Sequence, residues 1–390
     1  MKAYKFLIMS TVAICLCACK SSDDSWLTGI APEPVEDPVT RAVPIELNQD
    51  QQEIGNTLHE FSWKLFGQFY KWRQEWHSAE PNTLVSPFSM VSNLSVLMNG
   101  MDEQLQQNIL GVMGLENFNV EDVNGFFKTM ENGINNADPQ VRFANINLFQ
   151  YDSNLTLAEA FGKKLAELGV AVEATKVANM LDYQSFNNTS FYGNWERKFS
   201  PDKTEKAVFH NADGTEKEVD MMYQELLTYY LEHDTFTAAR IKLNSGAYEV
   251  FFILPKEGVD IEELIANIKP IDLKYGDGAY VSFWLPKFKV TDNEDLDLFF
   301  LKDIGFDAAL SDGLDFFVNH KTELSSIVQN NSFSIDEEGV EAVSETGWDT
   351  AYHACNLDIK FVDFRLDRPF IYGVVETSTN MPLFIGYYGN

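Results

Sequence analysis

Residues 333–353, which read FSIDEEGVEAVSETGWDTAYH, begin as a β-strand and then continue in an unusual way. The alternation typical of a strand runs into three acids and Gly339, where an ordinary strand would end. It nevertheless persists beyond the glycine, with small residues on one face of a possible strand: Val340, Ala342, Ser344 and Thr346. The other face would carry Glu341, Val343, Glu345 and Gly347. The segment can therefore be a strand buried on one face. Taken alone, it also fits an ordinary polar surface loop.

The rest of the chain divides into a helical first half and a strand-rich second half. Apolar residues recur at helical spacing from Ile54 to about Trp72, and Ser86-Pro87 is a helix start. Asp102 and Asn154 precede further amphipathic segments and can cap them. Beyond about residue 180 the strands are predicted at 248–254, 281–290, 332–335, 360–364, 369–376 and 383–388. This arrangement indicates an α+β fold, because strands and helices do not alternate along the chain.

Several short motifs occur in a fixed order around the opening stretch. They are NTLVSPFS at 82–89, NTSFYGNW at 188–195, LPK at 254–256, LPKF at 285–288, RPF at 368–370 and LFIG at 383–386. Together with DEEGVEA at 336–342 and TG at 346–347, they closely resemble the ordered motifs of the serpin family. The resemblance covers about residues 50–390.

The resemblance implies the serpin fold, with a large central mixed β-sheet, additional sheets, a helical N-terminal half and an exposed reactive loop at about 337–360. It implies a protease inhibitor rather than an enzyme. Serpins are suicide substrates: a serine or papain-like cysteine protease forms an acyl-enzyme with the loop, and the cleaved loop inserts into the central sheet. The alternative is a non-inhibitory serpin that acts as a protease substrate or a binding protein.

The resemblance also assigns residues to the loop hinge, namely Glu337, Glu338, Gly339, Val340, Glu341, Ala342 and Thr346. A strand that enters the sheet needs small or apolar inward residues, and Val340, Ala342, Ser344 and Thr346 meet this need. Trp348 follows on the inward face and is bulky, which argues against fast insertion.

Four residues are expected near the opening of the central sheet: Ser86, Asn188, Trp195 and Gln329. Gln329 stands where many serpins carry a histidine. Its amide can form a hydrogen bond with Ser86 or Asn188, so we expect the opening to survive with altered strength.

The reactive bond is expected at His353-Ala354, counted from Gly339. Counting back from the RPF motif gives Cys355-Asn356 instead, and Tyr352-His353 would suit a chymotrypsin-like protease. The alternatives therefore involve Tyr352, Cys355 and Asn356.

The N-terminus predicts an exported lipoprotein. Residues 1–18 read as a lipoprotein signal peptide, with two lysines before a short apolar stretch and a lipobox-like end at Cys19. Residues 19–47 are rich in proline and polar residues and are expected to form a tether to a serpin domain at 48–390. We expect lipid on Cys19, attachment to the outer membrane through that anchor alone, and exposure at the cell surface.

Composition excludes other classes of function. The 390 residues include 29 Lys and Arg against 59 Asp and Glu, giving a net charge of −30, so binding of nucleic acid through a basic surface is excluded. The chain contains no zinc-protease, nucleophile-elbow, P-loop or Rossmann motif. We expect no cofactor and no metal, a monomer, and target proteases as partners.

Overall fold

The computed structural model of the chain describes residues 41–76, 81–176, 182–270, 278–296, 298–306, 314–322, 327–340 and 360–390. Its helices are α1 (Gln49–Trp76), α2 (Pro87–Met98), α3 (Glu103–Val112), α4 (Val120–Ala137), α5 (Glu159–Glu167), α6 (Ile261–Asn267) and α7 (Leu298–Asp303). Its strands are β1 (Thr83–Val85), β2 (Arg142–Asp152), β3 (Ala171–Thr175), β4 (Tyr183–Asn194), β5 (Glu205–His210), β6 (Glu216–Glu232), β7 (Phe236–Leu243), β8 (Tyr248–Pro255), β9 (Gly278–Pro286), β10 (Phe288–Leu296), β11 (Leu314–Phe317), β12 (His320–Thr322), β13 (Ile327–Ile335), β14 (Gly339–Val340), β15 (Lys360–Arg365), β16 (Phe370–Glu376) and β17 (Pro382–Tyr388).

Side-chain caps start several of the helices. The Ser86 side chain accepts a hydrogen bond from the Ser89 N–H at the start of α2, and Pro87 occupies the first turn. Asp102 caps α3 in the same way. Asn154 does not cap a helix, because its N–H and amide group bind the Asp152 carboxylate in a turn, and α5 begins only at Glu159. Within the described ranges, no helix combines the length and apolar character needed to cross a membrane.

The central sheet consists of six strands in the order β10, β13, β14, β4, β2, β3. It is mixed, because β13 pairs with β4 and β2 pairs with β3 in parallel, whereas the other neighbours are antiparallel. Strands β4 and β13 alternate buried and half-buried residues along most of their length. One face of the sheet therefore lies on the core, which α2 and α4 share.

The second sheet has nine strands, along the path β1, β17, β16, β8, β7, β6, β9, β15, with β5 also paired to β6. The 17-residue strand β6 joins its two parts, since its first part pairs with β5 and β9 and its last three residues pair with β7. The prediction of one strand at 281–290 is wrong. The chain turns at Lys287 and divides that segment between β9 in this sheet and β10 in the central sheet.

Residues 41–47, the part of the predicted tether that the structure describes, contact the serpin-like domain that follows them. The Val43 N–H donates to the carbonyl oxygen of Ala137, and the Ile45 N–H donates to the Ser378 hydroxyl. Ile45 is buried, with its side chain against Gly133. Burial of an apolar side chain offsets the entropy lost in ordering this segment, so a domain boundary at residue 47 is too late. The signal peptide and the tether up to residue 40 lie outside the described residues.

Candidate functional site at the hinge and beneath the central sheet

A tight turn connects the end of β13 to the hinge. The Asp336 carboxylate accepts hydrogen bonds from the N–H groups of Glu338 (2.8 Å) and Gly339 (3.2 Å). The Asp336 N–H donates to the carbonyl oxygen of Gly339 over 3.1 Å. Aspartate favours such turns because its short side chain binds backbone two residues on. The chain therefore reverses, and β14 returns alongside β13.

Two hinge residues, Gly339 and Val340, form the strand β14 between β13 and β4. Gly339 pairs with Asn194, and Val340 pairs with Gly193 on one side and Ile335 on the other. The Val340 side chain is buried. Position 339 accepts only glycine, because a Cβ atom there would lie 2.3 Å from the Gly193 carbonyl oxygen.

A gap continues the line of β14 into the central sheet. Strands β4 and β13 pair directly only along 327–331 and 185–189. Between this parallel ladder and β14, residues 332–334 and 190–192 have no ladder partner on their facing edges among the described strands. The ends of β4 and β13 therefore leave room for a further strand.

Trp195 holds the turn from the β4 side. Its indole N–H donates to the Asp336 carbonyl oxygen (2.8 Å), and its backbone N–H donates to the Glu338 carbonyl oxygen (2.9 Å). The Phe199 N–H donates to the Glu337 carbonyl oxygen. The structure thus places Trp195 at the hinge turn, as one of the residues that position it.

Glu337 anchors the turn by charge. Its carboxylate lies 2.7 Å from the Lys287 ammonium and accepts a hydrogen bond from the Thr204 hydroxyl over 2.8 Å. Burial alone would raise the pKa of Glu337, but these two contacts outweigh it and lower the pKa below its ordinary value. Glu338 pairs with Lys198. Glu337 and Glu338, the two hinge acids among the described residues, therefore each have a cationic partner.

Beneath the parallel ladder, Gln329 binds the backbone of Ser86. Its amide nitrogen donates to the Ser86 carbonyl oxygen over 2.9 Å, and its amide oxygen accepts from the Ser86 N–H over 3.3 Å. The Ser86 hydroxyl lies 2.7 Å from the Leu383 carbonyl oxygen. All three residues are buried, so these bonds form out of contact with water. They connect β13 to the start of α2 and to β17.

Asn188 does not belong to this buried cluster, which corrects the prediction. It lies on the opposite, half-buried face of β4, where its side-chain oxygen accepts from the Asn330 amide over 2.9 Å. Asn187 takes the inward position and donates to the side-chain oxygens of Asn145 (2.7 Å) and Asn147 (2.8 Å). The reason is the two-residue period of a strand, which sends neighbours to opposite faces.

Sequence reasoning also missed Thr189 and Asn331. The Thr189 hydroxyl is hydrogen bonded to the Ser89 hydroxyl, and the Asn331 amide donates to the Gln329 side-chain oxygen and to the Leu84 carbonyl oxygen. Asn331 shares the inward face of β13 with Gln329, so alternation from Gln329 could have indicated it.

The remaining predicted site residues lie outside the described residues. They are Glu341, Ala342 and Thr346 of the hinge, Tyr352, His353, Ala354, Cys355 and Asn356 around the reactive bond, and Cys19. Their assignments stay predictions.

The sequence profile described as "Serpin (serine protease inhibitor)" matches residues 56–180 and 175–390, so this chain belongs to the serpin family. It is 25% identical over 380 residues to "Alpha-1-antiproteinase 2" of Equus caballus, which covers 86% of each chain. It is 24% identical over 358 residues to "Serine protease inhibitor A3F" of Mus musculus, covering 80% of this chain and 79% of the relative. Other matches span about half of the relative, as with "Probable non-inhibitory serpin-Z5" of Arabidopsis thaliana (26% identical; 50% of this chain, 44% of the relative).

Solved structures confirm the predicted serpin fold. Human thyroxine-binding globulin superposes with a TM-score of 0.76 at 20% identity and covers 87% of this chain and 99% of its own. The thermophilic serpin tengpin in its native state gives 0.75 at 21% identity, covering 90% and 97%. Serpins as a family are protease inhibitors rather than catalytic enzymes, and membership supports a protease as the general class of partner.

Proposed function

We propose that this serpin is an active inhibitor, a suicide substrate for serine proteases, with papain-like cysteine proteases as a second class. The observation that carries the proposal is the position of β14. The hinge residues Gly339 and Val340 already lie between β13 and β4, and the gap ahead of them follows the same register. The loop can therefore extend β14 without realigning either neighbour.

The register of β14 assigns a place to each following residue. If β14 is extended, residue 342 comes opposite Phe333 and Phe191, and residue 344 comes opposite Asn331 and Thr189. Residue 346 comes opposite Gln329 and Asn187, which already pair with each other. All these neighbours are buried, so the inward positions need small side chains. Ala342, Ser344 and Thr346 supply them.

The proposed reaction begins as an ordinary proteolysis. The protease hydroxyl attacks the carbonyl carbon of His353, its proton passes through the protease base to the leaving nitrogen of Ala354, and an ester joins His353 to the protease. The bonds after Tyr352 and Cys355 are the alternatives. The ester is trapped if insertion of the loop is faster than its hydrolysis.

Insertion is favourable because it completes ladders on two strand edges. It first separates the five residue pairs of the β4–β13 ladder and then pairs each strand with the new one. Each net hydrogen bond contributes about 1 kcal/mol, and inward side chains become buried as well. Before cleavage the loop is tethered at both ends, so the native form is held kinetically.

A panel of serine and cysteine proteases tests the proposal. We expect an SDS-stable complex with at least one protease, and mass spectrometry should identify a released fragment that begins near Ala354. In Val340→Glu, a charge at a buried position should block insertion, so the loop is cut and no complex persists. Val343→Glu is the matched control, because alternation places residue 343 on the outward face.

A non-inhibitory serpin is the second candidate, and Trp348 is the observation that favours it. Extension of β14 by eight residues would bring this bulky side chain inward, opposite the buried pair Ile327 and Ser185. If every protease cleaves the chain as an ordinary substrate and forms no stable complex, and if the cleaved chain is no more resistant to heat than the intact chain, this second candidate is the correct one.

We further propose that the mature protein is a monomeric lipoprotein attached to the outer membrane through Cys19 and exposed at the cell surface. The lipobox-like sequence and the proline-rich segment after it support this location. Cys19→Ala should move the protein from the membrane fraction to the soluble fraction. Unchanged membrane attachment of this variant would contradict the lipid anchor.

A further inference from the structure

An asparagine pair joins β4 to β13 on the half-buried, outward face of the central sheet. Asn188 and Asn330 are partners in the parallel ladder, and the Asn330 amide nitrogen donates to the Asn188 side-chain oxygen over 2.9 Å. A strand that enters between β4 and β13 must separate this pair, because the spacing of the two strands grows from about 4.8 Å to about 9.6 Å.

The register of β14 brings one particular loop residue between the two asparagines. Val340 lies opposite Ile335 of β13 and Gly193 of β4, and both pairings are antiparallel. If β14 is extended, position 345 therefore comes opposite Asn330 on one side and Asn188 on the other. Residue 345 is a glutamate, and alternation from the buried Val340 assigns it to the outward face. The two amides that lose each other thus gain a carboxylate between them.

The chemistry of these three groups is complementary. Each asparagine amide offers N–H donors, whereas an ionised carboxylate only accepts, through both of its oxygens. A carboxylate between two amides can accept a hydrogen bond from each side. Such charge-assisted bonds are stronger than the neutral amide–amide bond that they replace. Side chains directly opposite each other on neighbouring strands also lie within reach of one another.

The surrounding outward face accommodates negative charge. The outward residues of β4 from Gln184 to Tyr192, and those of β13 from Val328 to Ser334, are all uncharged. In the row where Glu341 would lie, the strands beyond β4 and β13 carry Arg142 and Lys289, and both are exposed. No acid at these outward positions of β4 and β13 therefore repels the carboxylates of an incoming strand.

We propose that Asn188 and Asn330 form a receiving site for the Glu345 carboxylate, filled only once the loop has inserted. This inference rests on the proposed inhibitory function, because that function requires insertion. In the intact chain the two amides bind each other and hold β4 against β13. In the cleaved chain they bind Glu345 and hold the new strand in register. The asparagine pair therefore stabilises both forms, whereas Glu345 stabilises only the inserted form.

The test measures unfolding rates in guanidinium chloride for the intact chain and for the chain cleaved in its loop. The variant is Glu345→Ala. Glu53→Ala, at an exposed glutamate of α1, is the matched control, because it changes the net charge by the same amount. We expect Glu345→Ala to speed unfolding of the cleaved chain roughly tenfold and to leave the intact chain unchanged. The control should leave both rates unchanged.

A second background identifies the partners of Glu345. In a chain that carries both Asn188→Ala and Asn330→Ala, the further change Glu345→Ala should no longer alter the unfolding rate of the cleaved form. The same tenfold acceleration in this background would overturn the assignment of the two asparagines. Equal acceleration of the intact and cleaved forms by Glu345→Ala alone would overturn the receiving site, because the site exists only after insertion.

Failure of insertion and failure of the receiving site give different results. If the cleaved wild-type chain is no more resistant to heat than the intact chain, no strand has inserted and both proposals are overturned. If it is more resistant but Glu345→Ala leaves its unfolding rate unchanged, insertion stands and only the receiving site is overturned. The rates are read on the cleaved chain whether or not a protease was trapped, so absence of a complex bears on inhibition alone.

Discussion

The indole N–H of Trp195 donates a hydrogen bond to the carbonyl oxygen of Asp336 over 2.8 Å. Trp195 follows β4 directly and Asp336 follows β13 directly, so this one bond joins the two strands across the mouth of the gap. Because the Trp195 backbone N–H also donates to the Glu338 carbonyl oxygen, Trp195 fixes the hinge turn at two points. The native fold therefore aligns β14 with the gap before any cleavage.

Gly339→Ala should expel the hinge from the sheet. The added Cβ atom would lie 2.3 Å from the Gly193 carbonyl oxygen and 2.6 Å from the Asn194 Cα, both of which are backbone atoms. We expect the Val340 amide to exchange its hydrogen at least tenfold faster, because its strand pairing is lost. Gly111→Ala is the control, since its Cβ would meet no atom within 4 Å. Unchanged exchange at Val340 would show that the strands move apart to accept the methyl group.

Gln329→Leu should destabilise the native form through Ser86. The substitution leaves the buried Ser86 N–H without its acceptor and removes one of the two hydrogen bonds to the Ser86 carbonyl oxygen, which keeps the Met90 N–H. The unsatisfied N–H and the lost bond together cost about 2–4 kcal/mol. Urea unfolding measures the loss. Asn330→Ala removes a hydrogen bond on the half-buried face of the same strand and should lower the free energy of unfolding by about 1 kcal/mol or less. Equal losses in the two variants would contradict a special role for the buried cluster.

Glu337→Gln should weaken the hinge turn in a pH-dependent way. The Lys287 and Thr204 contacts lower the pKa of Glu337, so their stabilisation is complete above the ordinary carboxyl pKa, near 4.5, and is lost as the pH falls through the lowered value. At pH 7 we expect the free energy of unfolding of the variant to be about 1–2 kcal/mol lower than that of wild type. This difference should shrink as the pH falls below 4.5. A difference that stays constant down to pH 3 would exclude ionisation of Glu337 as its cause.

Trp348→Ala should raise the yield of inhibition. In an extended β14, position 348 comes opposite Ile327 and Ser185, and the Ser185 hydroxyl there donates to Asn93. A small residue at 348 removes the overpacking and so speeds insertion relative to ester hydrolysis. The measurement is the fraction of chain recovered as complex rather than as cleaved product. Asp349→Ala, on the outward face by alternation, should leave this fraction unchanged; a rise in both variants would point to the loop sequence rather than to packing.

The sequence alone was sufficient for the fold class, and it also predicted the hinge. Local signals carry both: helical spacing in α1, the Ser86 cap, and the alternation of small residues after Gly339. These depend on neighbours within a few residues, and backbone geometry fixes their meaning. The same local evidence predicted one strand at 281–290, because it contains no information on which sheet each half joins.

Partners across the sheet depend on the tertiary structure. That Asn187 rather than Asn188 enters the buried cluster follows from which face of β4 lies on α2, a choice set by packing. That Asn188 and Asn330 lie opposite each other follows from strand register between segments far apart in the chain. The sequence by itself determined that residues 340–346 can form a strand with one small-residue face. Only the tertiary structure determined where in the sheet such a strand has room. It leaves the facing edges of residues 190–192 and 332–334 without ladder partners among the described strands.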